Sequence, residues 1–346
     1  SYGQTFFISL FNTDIREFYV LSDGEFGFVY AISTLFSSFI LISFAKLIDH
    51  IDLRTYSLIV TIGLLLACFG MVMLVDHVLY LFLIIFMLRF FGQGAMTHAG
   101  ETTMARYFGK NRGKALSIAT LGGMSGVMFF PYIVLNFFTD LEMGQLWLYA
   151  FFSILLFIPF IFIALSDQKN RQNKFDRSLT QDTLNIKVRT RDIIRDKKFY
   201  IYLPLSISTP FISTGLMFHQ IYIFNQKGWS LIMMGNGFLF LGIFSIIGLI
   251  IGGPIIDKFN TRKTVLTALL PLFLALVVLL FFNNYFSLII YMSLYGLNHG
   301  LTAPFIGALW AEIYGVESLG TVKALLHAGG VFASALSPLI FGYLID

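Results

Sequence analysis

Ten apolar runs, each close to the ~20 residues that a helix needs to cross the hydrocarbon core of a bilayer, recur along this chain. They lie at 26–48, 56–75, 79–104, 114–138, 145–165, 199–224, 231–256, 264–282, 285–311 and 320–345. No other feature constrains folding as much. In lipid every backbone polar group must be satisfied within the chain, so apolar runs of this length are expected to be helices. With 57% of residues hydrophobic and only 12% charged, against about 25% charged in soluble domains, the chain belongs to the polytopic membrane class. The opening SYGQTFFISLFN is too short to span and reads as the outer end of one more helix. Counting that remnant as span 1, the ten runs are spans 2 to 11. No charged leader or small-residue cleavage site precedes it, so no signal peptide is expected. Cys68, the one cysteine, lies in an apolar run and offers neither a disulfide framework nor a thiol motif.

The loops are sided. Lys46 and Arg54; Arg106, Lys110, Arg112 and Lys114; the cluster from Lys169 to Lys198; Lys258, Arg262 and Lys263; and Lys323 all fall in alternate loops. Of the 23 basic residues only Arg16 and Lys227 occupy the opposite loops, and Arg89 lies within a span. By the positive-inside rule the basic set is cytoplasmic. The net charge of +4 is therefore a membrane-topology signal, and no nucleic-acid partner is expected.

An internal repeat comes next. Asp49-His-Ile-Asp-Leu-Arg54 resembles Asp257-Lys-Phe-Asn-Thr-Arg262, Ala105–Gly109 matches Ala311–Gly315, and Gly122-Gly123 and Pro131 match Gly329-Gly330 and Pro338, all 206–208 residues apart. Parallel repeats of this kind build transporters from two six-helix halves. The offset puts the partner of span 6 beyond Asp346 and the start of span 1 before Ser1. The expected fold class is thus an all-α membrane protein of two six-helix halves with pseudo-two-fold symmetry, here truncated to about eleven transmembrane helices. The expected parts are an N-terminal half over 1–166, a charged cytoplasmic linker over 167–198 with a short amphipathic piece near Leu184–Lys198, and a C-terminal half over 199–346.

Span 4 departs from the apolar pattern. Arg89 stands near its middle, and Gln93, Thr97 and Glu101 follow at steps of four. On an α-helix each step of four drifts by only ~40°, which predicts one polar stripe with His98 beside its inner end. A charge at the bilayer centre costs about 2.5–3.5 kcal/mol on insertion scales, and such groups face a bundle interior or a water-filled cavity. Spans 3 and 9 carry no charge at all, as expected of helices facing lipid. The remaining polar groups collect in span 7 (His219, Gln220), span 10 (Asn298, His299) and the span 1 remnant (Gln4, Asn12).

With these motifs the chain resembles the major facilitator superfamily over essentially its whole length. The family's loop signature after its second helix, Gly-x-x-x-Asp-Arg-x-Gly-Arg, has its better copy at Gly253–Arg262 and a looser one at Ala45–Arg54, where Asp52 replaces the turn glycine. Arg89-Phe-Phe-Gly92-Gln-Gly94 is similar to the family's arginine-plus-glycine signature in helix 4. Tyr107–Ala115 is similar to the helix 4–5 loop of the monocarboxylate and oxalate/formate branches. The resemblance implies a cavity lined by spans 1, 4, 7 and 10. It therefore implies substrate contacts at Arg89, Gln93, His219, Gln220, Asn298, His299 and Asn12.

Several groups keep two readings. Arg89 contacts the solute or ties span 4 to backbone carbonyls of a neighbour, and His219 and His299 face the cavity or are packing histidines. His98 and Glu101 form a candidate proton relay, because a neighbouring carboxylate raises an imidazole pKa, or an inner-end structural pair with Arg106. Asp49, Arg54, Asp257 and Arg262 read as a conformational latch between the halves, or as loop capping. Arg106 and Glu312 read as an inner gate. Glycines at Gly122, Gly126, Gly248, Gly252 and Gly329 read as close-packing faces.

The expected function is secondary active transport by alternating access, moving a small organic solute, an organic anion such as a carboxylate, with proton coupling. The alternatives are a proton-coupled exporter of amphipathic compounds and a transporter-like membrane sensor. No nucleophile, phosphate loop or metal-ligand spacing stands out, so no enzymatic activity, metal or cofactor is expected. The expected partners are the solute, protons and the lipid bilayer. The expected setting is a multi-pass monomer in a plasma membrane such as a bacterial inner membrane.

Overall fold

A computed structural model of the chain describes residues 1–107, 112–138, 140–166, 168, 190–258, 261–315 and 318–346. Every regular element among them is helical. The opening remnant folds as α1 (Thr5–Ile8), a 3₁₀ turn (Ser9–Phe11) and α2 (Asn12–Tyr19). Then come α3 (Asp23–Phe44), α4 (Leu53–Val72), α5 (Val78–Met87), a π-helical segment (Leu88–Ala95) and α6 (Met96–Tyr107). Helices α7 (Arg112–Phe137) and α8 (Met143–Ala164) follow. After the linker the chain continues with α9 (Thr190–Arg195), α10 (Lys197–Phe218) and α11 (Gln220–Gln226). It ends with α12 (Leu231–Lys258), α13 (Thr261–Phe281), α14 (Tyr285–Tyr314) and α15 (Leu319–Ile345).

Eight helical stretches among the described residues are long and apolar enough to cross a membrane. Two expected spans are not among them. In α13 the described side chains begin at Leu266, and Leu266–Phe281 is an apolar helix; α14 carries Asn298 and His299 at its middle. Helix boundaries follow local chemistry. α3 begins at Asp23, ahead of the apolar run, because Ser22 and Glu25 form a capping box: the Glu25 N–H donates to Ser22 Oγ and the Ser22 N–H to Glu25 Oε2. The amphipathic piece expected in the linker is α9, whose Ile193 is buried against Phe199, Trp310 and Val322. Cys68 is fully buried and reduced.

The chain forms two compact units. Unit 1 holds Ser1–Gly123, Asp140–Thr183 and Pro338–Asp346; unit 2 holds Met124–Thr139 and Leu184–Ser337. The units therefore differ from the sequence halves by two exchanged helix ends. In unit 1, Pro338–Asp346 lies along the start of α3. A Cβ on Gly27 would collide with the Pro338 carbonyl, 2.5 Å away, and one on Gly342 with the Asp23 carbonyl, also at 2.5 Å. The Asp346 carboxylate accepts from Ser22 Oγ (2.6 Å) and from the Asp23 and Gly24 N–H groups (3.0 and 2.9 Å). Arg16 Nη1 pairs with Asp23 at 3.0 Å beside it. In unit 2 the end of α7 meets α12 through Asn136 at Gly235 and Met128 at Gly242.

Candidate functional site

The polar centre of unit 1 is built where α5 gives way to the π-helical segment. Gly92 and Gly94 weaken the local preference for a regular α-turn. Such wide turns recur at functional sites. The start of the chain crosses this segment in backbone contact. A Cβ on Gly92 would lie 2.6 Å from the Gly3 Cα, and one on Gly3 would run into the Leu88 carbonyl oxygen.

That approach seals Arg89 inside the unit, with only 3% of its surface exposed. Its Nε donates to Thr34 Oγ1 on α3 (3.1 Å), and its Nη1 to Thr5 Oγ1 (3.1 Å) and to the Gly3 carbonyl (3.4 Å). The guanidinium carbon sits 4.9 Å from the centre of the Tyr30 ring. Tyr30 OH and Thr5 Oγ1 share a hydrogen bond of 2.7 Å. Among the described residues no carboxylate lies in ion-pair contact with Arg89. Hydroxyls, one carbonyl and an aromatic face hold a full positive charge inside a span.

The predicted stripe does not survive intact. A step of four along an α-helix keeps side chains aligned, but the wider π-turn between Leu88 and Ala95 breaks that arithmetic. Arg89 is buried, Gln93 half-buried, and Thr97 and Glu101 exposed. Gln93 Oε1 is buried without a hydrogen-bond partner among the described residues. His98 lies 3.5 Å from Thr102 Oγ1. Glu101 has no hydrogen bond or ion pair there, so the proposed His98–Glu101 relay is not assembled as a bonded pair.

In unit 2, Asn298 and His299 part ways. His299 is exposed at the middle of α14. Asn298 is fully buried and donates from Nδ2 to the Ala268 carbonyl on α13 at 2.7 Å. Asn298 Nδ2 thus ties two helices together, while its Oδ1 is buried without a hydrogen-bond partner among the described residues; adjacent residues on a helix point about 100° apart. Tyr295, 206 residues beyond Arg89, donates its phenol to the Ser213 carbonyl on α10 at 3.2 Å.

Spans 1 and 7, expected as plain helices, are both interrupted. Phe11 (φ −104°, ψ 16°) precedes α2, and His219 (φ −97°, ψ 20°) precedes α11. The two break residues are 208 positions apart and nearly identical in backbone conformation. Each is followed by a buried amide, Asn12 or Gln220, and His219 itself is buried. Asn12 Oδ1 accepts from Arg16 Nε at 2.8 Å. Each break falls where an apolar stretch meets polar residues, Asn12-Thr-Asp14 at the first and His219-Gln220 at the second, and the repeat pairs the two.

Of the gating candidates, Arg54 stacks over Phe162 on α8, 4.3 Å from the ring centre, with its Nε buried and unpartnered among the described residues. It therefore packs inside unit 1. Glu312 is exposed. The side chains of Asp49, Asp257, Arg262 and Arg106 lie outside the described residues. Among the described residues no three His, Cys, Asp or Glu side chains converge as a metal site.

Comparison with known proteins adds three findings. The profile of the Major Facilitator Superfamily matches residues 1–245 and 215–346. The Riboflavin transporter MCH5 of Saccharomyces cerevisiae is 25% identical over 282 residues, covering 74% of this chain and 52% of that protein. The chain thus spans about half the length of that relative. The fold is similar to crystal structures of a bacterial homolog of the human lysosomal transporter Spinster. The inward-facing unoccupied form gives a TM-score of 0.67 at 16% identity, and the occupied form 0.66 at 17%; each match covers 97% of this chain and 77% of the other.

Proposed function

The chain belongs to the Major Facilitator Superfamily, and on that premise we propose that it is a secondary active transporter of a small organic anion, such as a carboxylate, coupled to protons. One observation carries the reading: Arg89 is a buried cation held by neutral groups, with no carboxylate in ion-pair contact among the described residues. Charges within spans are costly and are normally compensated by a partner. An anionic solute supplies that partner. A guanidinium suits it because its fork matches the two oxygens of a carboxylate. Gln93 and the exposed His299 are proposed to meet the rest of the solute, and His299, His98 and Glu101 are the groups available to carry a proton. Each proton moved down the potential contributes about 2.3 kcal/mol per 100 mV. The proposed setting is a plasma membrane, with the basic linker on the cytoplasmic face and the protein acting as a monomer.

The test is uptake of labelled lactate and oxalate into proteoliposomes holding the full-length protein. Uptake should be acid-stimulated and should vanish in Arg89→Ala. Carriage of neutral or cationic solutes, unchanged by that substitution, would sink the anion assignment.

A second reading has its own support. The matched yeast relative is a riboflavin transporter, and the unpartnered Gln93 Oε1 is an acceptor suited to an imide N–H such as riboflavin's. Labelled riboflavin belongs in the same liposome series. Saturable riboflavin uptake that survives Arg89→Ala but falls in Gln93→Leu would favour it.

A further inference from the structure

The guanidinium assigned to the solute is already engaged, and the way it is engaged indicates how it is released. Nε is bonded to Thr34, which is buried on α3, and the ring of buried Tyr30 covers one face. Nη1 instead reaches the start of the chain, where Thr5 is only half-buried. Its second contact, with the Gly3 carbonyl at 3.4 Å, lies at the long end of hydrogen-bond range. Of the residues that hold Arg89, Thr5 is therefore the least buried.

We infer that the Thr5 hydroxyl competes with the transported anion for Arg89, so that this residue, remote from span 4 in sequence, sets the apparent affinity. The inference rests on the anion reading above. A hydroxyl offers the guanidinium one neutral acceptor, whereas a carboxylate offers two parallel acceptors and a compensating charge, so it displaces the hydroxyl. The exchange strands no polar group. Thr5 Oγ1, once released, keeps its 2.7 Å bond to Tyr30 OH. Arg89 keeps Thr34 at Nε and the Tyr30 face, which hold the fork in place for its new partner. Thr5 is thus a built-in surrogate for one solute oxygen, and Thr34 is the positioning residue about which the exchange occurs.

The experiment compares wild type with Thr5→Val, Thr5→Ser and Thr34→Val, using lactate and oxalate as probes. Uptake into proteoliposomes gives KM and maximal rate, and thermal-shift titration in detergent gives Kd without requiring transport. Thr5→Val should lower both KM and Kd by about tenfold, the equivalent of about 1.4 kcal/mol. Thr5→Ser, which keeps the hydroxyl, should match wild type, and Thr34→Val should raise KM. A purely structural role for both threonines would move the two valine variants in the same direction. Equal or weaker binding in Thr5→Val, with wild type binding normally, overturns the competition alone. Absence of lactate and oxalate binding in every protein, wild type included, overturns the anion reading and this inference together.

Discussion

The two units answer one structural problem, how to anchor the polar helix of each repeat, in different ways. In unit 1 the helix is broken by a π-helical segment, and its anchor is a charge: Arg89 reaches Thr5, Gly3 and Thr34. In unit 2 the corresponding helix, α14, runs 30 residues without a break. Its anchors are neutral, the Tyr295 phenol on the Ser213 carbonyl and the Trp310 indole on Ser206 Oγ at 2.8 Å. Gly296 and Gly300 also bring its backbone onto the Leu241 and Ser245 carbonyls of α12, closer than any side chain permits. A repeat can therefore preserve its topology while moving its chemistry. On the reading proposed above, the charged, irregular copy responds to the solute and the neutral, closely packed copy acts as the frame.

That division can be broken experimentally. The largest effect on function is expected at Arg89, where removal should abolish uptake. The largest effect on stability is expected in the frame. Gly300→Val drives a branched side chain into the Ser245 carbonyl and should cost about 1–3 kcal/mol, read as a lower melting temperature and less folded protein in detergent. If Gly300→Val is neutral, unit 2 is not the rigid copy. A smaller effect is expected at Tyr295→Phe, which removes one hydrogen bond worth about 0.5–1.5 kcal/mol. It should slow uptake far less than any change at Arg89, and comparable losses at the two positions would erase the contrast between the units.

The smallest effect concerns the Asp346 contact in unit 1. Partial burial alone would raise this carboxyl, but hydrogen bonds from Ser22, Gly24 and Asp23, together with Arg16, hold it below its ordinary value of 3.8. A depressed carboxyl stabilises the folded form above its unfolded pKa and loses that contribution as pH falls through the lower folded value. Wild type should therefore be slightly more stable than Asp346→Asn at pH 7, by under about 1 kcal/mol for so exposed a group, read as a higher melting temperature. The two should converge once pH falls below the folded carboxyl's pKa. A gap that persists in strong acid would show that shape, not charge, makes the contact.

Much of the architecture is legible in the sequence because lipid leaves a chain few options. Run length locates most of the spans, and the repeat reveals the two halves. What is hidden is whatever departs from a regular α-helix or joins distant positions. The stripe from Arg89 to Glu101 assumed a constant turn, and the π-helical segment removes that assumption. The breaks at Phe11 and His219 sit beside polar residues, Asn12 and Gln220, that read equally well as polar groups on an unbroken helix. Thr5, Tyr30 and Thr34 are ordinary residues for a membrane helix, and only folding brings them to the same guanidinium. Asn298 illustrates the converse: a polar residue beside His299 suggests a shared site, yet it faces the backbone of a neighbouring helix.

The crossing of Gly3 and Gly92 has a consequence of its own. Two backbones that meet with no side chain between them have no slack, so a displacement of one is passed to the other undiminished, like meshed gears. In a saturation screen of uptake, both glycines should score as if they lined the solute's path while touching no solute. The early residues of the chain would then be mechanical components of a centre more than eighty positions further along.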